Sequence, residues 1–339
     1  MLEEGYSLAI DPAGILVTGK FADTTDFDPS ANIYNLEATS GKWVFVAKYN
    51  LNGNLIWAGN IGGNSGEVAY SIASDPSGNG NFCITGSASD TVDFDLTNAD
   101  YVVNCGAGRF YFAKYDNNAN LVFVKIAGSG GASGRNLKLD IHGNIFIVGL
   151  FVGTTDFDPD IGVANLTATG SGSSPDIFLA KYDSNGNYIW AKSMGGAYSD
   201  WGKCIALDTN GNQYITGFFS NTADFDPDTA IVNLIGIGGN QAIFIAKYAD
   251  TSTGTADFYL QPEEIIIYPN PALNLISIKY SKESSQVITV IIYDITGKVC
   301  FKNSFIENIK INISSLNPGI YTLQVKNNKQ NLYSKFIKQ

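Results

Sequence analysis

Short apolar runs joined by polar turns fill the first 250 residues or so. The chain opens with SLAI-DPAG-ILVTG and later repeats the same plan as CIAL-DTNGN-QYITG. A second kind of hairpin alternates with the first: VFVAKY-NLNGN-LIWA, FYFAKY-DNNAN-LVFV and IFLAKY-DSNGN-YIWA. Asp, Asn and Gly in the turns supply side-chain capping and positive φ, which closes tight hairpins. Asn118 and Ala119 replace the usual turn pair in the second copy, which predicts a looser turn there. Along VFVAKY, Val44 and Val46 face one way and Trp43, Phe45 and Tyr49 the other. Both faces are apolar, so both must be buried.

These hairpins recur with a fixed period. TDFDP, VDFDL, TDFDP and ADFDP place phenylalanines at 27, 94, 157 and 225, at spacings of 67, 63 and 68. The AKY lysines, Lys48, Lys114, Lys181 and Lys247, are spaced by 66, 67 and 66, and Gly19, Gly86, Gly149 and Gly217 keep the same step. Several markers on one period mean internal repeats. Each repeat holds four strands, the content of one propeller blade. The reading is all-β: a β-propeller-like array of four four-stranded repeats over residues 1–249, divided near 1–64, 65–130, 131–196 and 197–249. The motif, turn-G-N-x-hydrophobic-x-T-G followed by F-x-A-K-Y-D-x-x-G-N-x-x-W and G-G, is similar to the bacterial SBBP repeat. That resemblance implies a propeller-like fold and extracellular placement, and no particular activity.

The fourth repeat stops at AKY without a GN-x-x-W strand, and nothing precedes the first SLAI strand. MLEEGYSLAID carries no signal peptide. Two expectations stand: an N-terminally truncated product of a longer chain, or a compact ring closed by residues 255–260.

Residues 250–262 are polar at first and repeat-free, and read as a linker. Seven short β segments follow over 263–339, which predicts an immunoglobulin-like sandwich. Pro269, Asn270 and Pro271 lie in IYPNP, Asp294, Gly297 and Lys298 in IYDITGK, Gly319 and Tyr321 in LNPGIYTLQV, and Lys335 and Lys338 in the terminal KFIKQ. This order is similar to the type A (Por-type) C-terminal sorting domain of type IX secretion. The resemblance implies carriage across an outer membrane by the type IX machinery, and removal of the domain by a sortase with cleavage in the linker. It also implies residence outside a Gram-negative bacterium or on its surface.

Charge sharpens the division. The chain carries −11 overall, −15 in residues 1–262 and +4 in 263–339. The acidic part repels nucleic acid and anionic membrane, and no apolar run is long enough for a spanning helix. Cys83, Cys105, Cys204 and Cys300 form no CxxC pair; they read as small packed hydrophobes, with a Cys83–Cys105 bridge as the alternative. The lone histidine, His142, sits in a turn, and no nucleophile or phosphate-loop motif is present, so no catalytic residue is assigned. The acids that stand out repeat in every copy: Asp26 and Asp28, Asp93 and Asp95, Asp156 and Asp158, Asp224 and Asp226. DxD spacing puts two carboxylates on one side of an extended segment. Three readings stay open: Ca²⁺ ligation, turn capping, and a ring of ion pairs with Lys48, Lys114, Lys181 and Lys247, since a lysine in an apolar strand needs a partner.

The functional expectation is a secreted or cell-surface, non-catalytic protein for adhesion, scaffolding or glycan binding. The alternatives are a polysaccharide-acting enzyme using loop carboxylates, and a passenger whose activity lies in sequence upstream.

Overall fold

The computed structural model describes residues 3–63, 66–97, 99–128, 130–170, 172–228, 230–236, 241–249, 265–280, 288–305, 309–326 and 331–339. The chain divides into two compact units, Met1–Ser252 and Thr253–Gln339. Every regular element among the described residues is a β-strand. The all-β reading holds. The linker expected at 250–262 and the strand expected at 255–260 lie outside the described residues.

The first unit is a series of antiparallel meanders. In the first repeat, β1 (Glu4–Asp11), β2 (Gly14–Asp26), β3 (Asn35–Tyr49) and β4 (Leu55–Gly63) pair in order. The second repeat has β5 (Val68–Ser74), β6 (Phe82–Asp93), β7 (Val102–Tyr115) and β8 (Leu121–Ala127). In the third, β9 (Ser133–Leu139) and β10 (Ile145–Phe151) are extended by a small hairpin, β11 (Thr154–Asp156) with β12 (Asn165–Thr167), before β13 (Asp176–Tyr182) and β14 (Tyr188–Gly196). The fourth has β15 (Trp201–Leu207), β16 (Gln213–Ser220), the hairpin β17 (Thr222–Asp224) with β18 (Asn233–Ile235), and β19 (Gln241–Tyr248).

The hairpin arm that carries the DFD sequence bends away from its own sheet at one position. Asp23, Asp90, Gly153 and Asn221 occupy it, with φ of 57°, 57°, 62° and 58°. Only Gly, Asn and Asp enter the left-handed region readily, and these are the residues the repeat uses. The bent arm reaches the last strand of the preceding repeat. Gly62 and Gly63 pair with Asp93 and Val92, and Gly195 and Gly196 with Asp224 and Ala223. Between the second and third repeats, the Gly128 N–H donates to the Asp156 carbonyl at 2.8 Å. The glycine pair is required sterically: a Cβ on Gly63 would lie 2.3 Å from the Thr91 carbonyl oxygen, and one on Gly196 2.1 Å from that of Thr222.

Successive sheets bury their faces against each other. Val44 and Val46 of the first repeat share a core with Phe94, Tyr111 and Tyr115 of the second. Phe110 and Phe112 then pack with Phe157, Phe178 and Tyr182 of the third, and Ile177 and Leu179 with Ile215, Phe225 and Phe244 of the fourth. The first strands also form a ladder across repeats. Ser7 Oγ accepts from Ile72 N–H at 3.2 Å, Ser71 Oγ from Leu137 N–H at 3.3 Å, and Asn136 Oδ1 from Ile205 N–H at 3.0 Å.

The second-repeat turn is not looser. Asp116 N–H donates to Asn120 O at 2.9 Å and Ala119 N–H to Asp116 O at 3.1 Å, as Asp183 N–H does to Asn187 O (2.9 Å) and Gly186 N–H to Asp183 O (3.0 Å). Ala119 adopts φ 65°. Its methyl is buried in the core between the first and second repeats, which offsets the backbone cost.

The second unit is a two-sheet sandwich. One sheet is β20 (Ile265–Tyr268), β21 (Leu275–Tyr280) and β24 (Ile309–Asn312); the other is β23 (Val299–Phe305), β22 (Ile288–Tyr293), β25 (Gly319–Lys326) and β26 (Asn331–Lys338). Ile276, Ile278 and Ile311 from the first meet Val290, Ile292, Leu323 and Phe336 from the second.

The joint between repeats makes a sharp stability test. Gly196→Ala should cost about 1–3 kcal/mol through overpacking against backbone, lowering the thermal midpoint. Gly5→Ala, whose Cβ would meet nothing within 4 Å, should leave it within error. Equal midpoints for the two variants would refute the steric role of the joint.

Candidate functional site

The repeated DFD loops are built the same way four times. The first aspartate of each pair uses Oδ1 to accept two backbone N–H groups, one inside the loop and one across its neck. Asp26 takes Asp28 and Tyr34 at 3.0 and 2.8 Å, and Asp93 takes Asp95 and Tyr101 at 3.0 and 2.9 Å. Asp156 takes Asp158 and Ala164 at 3.1 and 2.7 Å, and Asp224 takes Asp226 and Val232 at 3.0 and 2.8 Å. The second aspartate caps the residue two further on: Asp28 to Ser30, Asp95 to Thr97, Asp158 to Asp160 and Asp226 to Asp228. The Ser30 N–H and hydroxyl hold the Asp28 carboxyl below its ordinary range.

A tyrosine then ties each loop to its sheet. Tyr49, Tyr115, Tyr182 and Tyr248 donate their hydroxyls to the carbonyls of Phe27, Phe94, Phe157 and Phe225 at 2.9, 2.8, 2.9 and 2.8 Å. Burial raises the phenols of Tyr115 and Tyr182 well above their ordinary value, so they remain donors. These are the tyrosines of AKY; their exact recurrence was the available signal, overlooked because tyrosine reads as core.

Lys48 and Lys114 of the AKY motif pair with acids at the ends of the first strands. Lys48 Nζ lies 2.8 Å from Asp11 Oδ2, with both side chains almost fully buried, and donates to Asn117 Oδ1 at 2.8 Å. Asp11 belongs to the same repeat and Asn117 to the next. Lys114 repeats the pattern, 3.9 Å from Asp75 Oδ2 and donating to the Ser184 carbonyl at 3.2 Å. Lys181 lies over the Phe146 ring at 4.8 Å and Lys247 over Tyr214 at 5.2 Å. Asp11 and Asp75 close the SLAID and SIASD strands, and their recurrence as Asp140 and Asp208 was legible but assigned to turns alone.

A second acidic feature sits at the joint between the third and fourth repeats. Asp176 and Asp200 are fully buried beside the Gly195–Gly196 joint. Asp200 accepts Gly196 N–H at 2.7 Å and Ser220 N–H at 2.9 Å. Asp176 Oδ2 accepts the Thr169 N–H and hydroxyl, whereas Oδ1 is buried without a hydrogen-bond partner. Burial pushes the Asp200 carboxyl up to about 6, with the Asp176 charge adding to the rise. Burial likewise raises Asp176.

Among the described residues, no group of three or more His, Cys, Asp or Glu side chains could hold a metal ion. A small polar cleft of about 140 Å³ lies at the first inter-repeat joint, lined by Trp43, Asn60, Asp93, Asp95, Thr97 and Asp100 among others. His142 is exposed in its turn. The four cysteines are free; Cys83 and Cys105 are buried in different cores, and Cys204 and Cys300 are exposed rather than packed. Burial raises the Cys83 thiol to about 12, which leaves it unreactive.

In the second unit, Asn270, between Pro269 and Pro271, accepts Ile337 N–H at 2.9 Å through its side chain, and Ala272 N–H donates to Ile337 O at 2.8 Å. The NP segment is thereby laid along β26. Asp294 Oδ1 accepts Thr296 N–H (2.9 Å) and Lys298 N–H (3.0 Å), and Gly297 closes that turn at φ 82°. Tyr321, two residues after Gly319, stacks on Phe336 and donates to Asn317 O at 2.8 Å. Asp294, Gly297 and Lys335 line one open cleft with Tyr293, Ile295, Ile320 and Thr322. Lys338 is buried, and its Nζ contacts the Gln339 carbonyl.

Residues 266–339 match the family of secretion system C-terminal sorting domains. An uncharacterized WD repeat-containing protein of Acanthamoeba polyphaga mimivirus is 30% identical over 104 residues, which cover 26% of this chain and 7% of that protein. Among solved structures, the extracellular domain of a hybrid two component system from B. thetaiotaomicron aligns at 13% identity and TM-score 0.25, over 99% of this chain and 56% of that one. Dimeric latent PorU from Porphyromonas gingivalis aligns at 11% identity and TM-score 0.19, over 99% and 32%. This chain therefore spans about half of the first of these structures and a small part of the viral relative. The sorting domain makes the chain a type IX substrate, secreted or held at the cell surface, and so a client of that secretion machinery. No helix among the described residues is long and apolar enough to cross a membrane.

Two outcomes follow from the buried charges. Asp11→Asn keeps an oxygen for the turn but leaves the Lys48 ammonium without its counter-charge, and should cost about 3–5 kcal/mol in denaturant unfolding. Asp228→Asn, at the exposed Lys192 pair (3.1 Å), should cost no more than about 1 kcal/mol; similar losses would refute the distinction. For Asp176 and Asp200, the folded pKa lies above the unfolded one, so the native state binds protons more readily. Their contribution to stability therefore falls as pH rises from about 4 to 6. Asp176→Asn should stabilise the protein at pH 7 by about 1 kcal/mol and show a smaller gain at pH 4.5. A pH-independent difference from wild type would refute the like-charge argument.

Proposed function

We propose that the first unit is an open propeller-type array of SBBP character that works as a non-catalytic passenger for adhesion, scaffolding or glycan binding. Residues 263–339 then serve as the handle read by the type IX machinery and removed by its sortase. The observation that carries the first part is sameness. All four DFD loops engage their carboxylates with equivalent backbone N–H groups, whereas a catalytic pair is needed once and in one pocket. The name of the viral relative supports the propeller part, because WD repeats build four-stranded blades. For Ca²⁺, the oxygens left over in each loop are the remaining ligand source, since each first aspartate already accepts two N–H groups through Oδ1.

The handle is tested by fusing residues 250–339 to a fluorescent protein behind an export signal in a bacterium with type IX secretion. The fusion should reach the surface or the medium with the tail removed, and retention in the periplasm would overturn the reading. The passenger is tested by presenting the full chain to a panel of glycans with Ca²⁺ and with chelator, while reducing ends are assayed. Binding without release of reducing ends is expected. Release that is lost in Asp93→Asn would replace this reading with an enzyme acting at the polar cleft.

A further inference from the structure

The two ends of the repeat series present opposite halves of the interface used three times inside the molecule. In the first three repeats, the face turned toward the next repeat is buried: Val44 and Val46, Phe110 and Phe112, and Ile177 and Leu179 are at most 1% exposed. Their equivalents in the fourth repeat, Ile243 and Ile245, are 85% and 80% exposed. Lys247 is exposed as well, where Lys48, Lys114 and Lys181 are buried. At the other end, Leu8 is 63% exposed, whereas its equivalents Ile72, Leu137 and Ile205 are at most 2% exposed. Val17 is only half-buried where Ile84, Ile147 and Ile215 are buried.

We propose that the trailing face of the fourth repeat docks the leading face of the first repeat of a second copy of this chain, head to tail. The occupant follows from continuity with the internal interfaces. The apolar faces and the first-strand acceptor position that join one repeat to the next recur at the two ends. Ser7, Ser71, Asn136 and Cys204 hold one position, and the first three each accept an N–H from the following repeat. Cys204 is exposed and stands where the next acceptor would be, opposite Leu8 N–H of the second copy. One residue earlier, Arg135 of the third repeat lies 4.1 Å from the Tyr70 ring of the second. Lys203 and Tyr6 hold that position at the seam, where Lys203 lies over the Trp201 ring at 4.3 Å and Tyr6 against the Tyr70 ring at 5.6 Å. The exposed Leu51 segment of the second copy is the equivalent of the Asn117 and Ser184 segments that receive Lys48 and Lys114. The contact is heterologous, so it closes into a ring of copies or extends as a filament according to the rotation per chain.

The test is sedimentation velocity of the full chain over a dilution series. A species larger than one chain, growing with concentration, is expected. Ile243→Glu and Leu8→Glu should each return the protein to one chain, and a mixture of the two should form a 1:1 complex that grows no further, since each keeps one intact face. Both residues are exposed, so at dilutions where wild type is also a single chain the thermal midpoints should coincide. Ser7→Cys, in a Cys300→Ser background treated with copper phenanthroline, should yield an intermolecular disulfide between residue 7 and Cys204, read on a non-reducing gel and by peptide mapping. A strictly monomeric wild type would overturn the proposal. So would association that survives both glutamate variants, or one that gives no 7–204 crosslink.

Discussion

A sheet that is apolar on both faces cannot stand alone in water, and everything in the first unit follows from that. The third strand of each repeat sets the condition. Phe45 and Val46, or Phe178 and Leu179, send adjacent large side chains to opposite sides, and all four are buried. At about 25 cal/mol per Å², leaving either side wet is costly, so each sheet requires a neighbour on both sides. The glycine pairs, the left-handed kink before each DFD sequence and the polar ladder along the first strands are the local devices that bring the neighbour close enough. Each fails if the sheets are not stacked, and none alone would stack them.

Much of this was legible before any coordinates. Period, strand count and turn chemistry were all in the sequence, because repeated turns leave Asp, Asn and Gly at fixed offsets and two-sided burial leaves continuous apolar runs. What escaped was pairing at a distance. The sequence set Lys48 beside Asp26 and Asp28 as the nearest conspicuous acids, whereas it meets Asp11, across the strand order, and Asn117, one repeat on. No spacing rule links residues 11, 48 and 117 until β1, β2 and β3 are known to be neighbours. The Asp176–Asp200 pair escaped for another reason: Asp200 stands where the second repeat has Glu67 and the third Ala132, and an acid that changes identity or drops out between copies carries little signal. Ala119 shows the limit of turn propensity, since the surrounding hairpin imposes φ 65° on a residue that disfavours it.

The acidity of the first unit also takes on a local meaning. Asp116, Asp183 and Asp208 each accept N–H groups from their own hairpin turn, and hydrogen bonds from Asn120, Asn187 and Asn212 hold their carboxyls below the ordinary range against a partial burial that works the other way. Together with the DFD caps, these account for most of the recurring carboxylates. The negative charge is therefore distributed along loop rims as a by-product of capping, and not gathered into one focus.

The buried lysines act differently from the caps. A pair such as Lys48–Asp11 adds little net stability over an apolar substitute, because taking two charges out of water offsets most of their attraction. Its energetic effect lies in what it forbids. Apolar sheets sliding past one another by a residue exchange one set of van der Waals contacts for another at modest cost. An ammonium held between an aspartate of its own repeat and an amide oxygen of the next has no such freedom, since a slip would strip one partner from a charge that water cannot reach. Greasy faces make the repeats stack, and the lysine between them fixes where they stop.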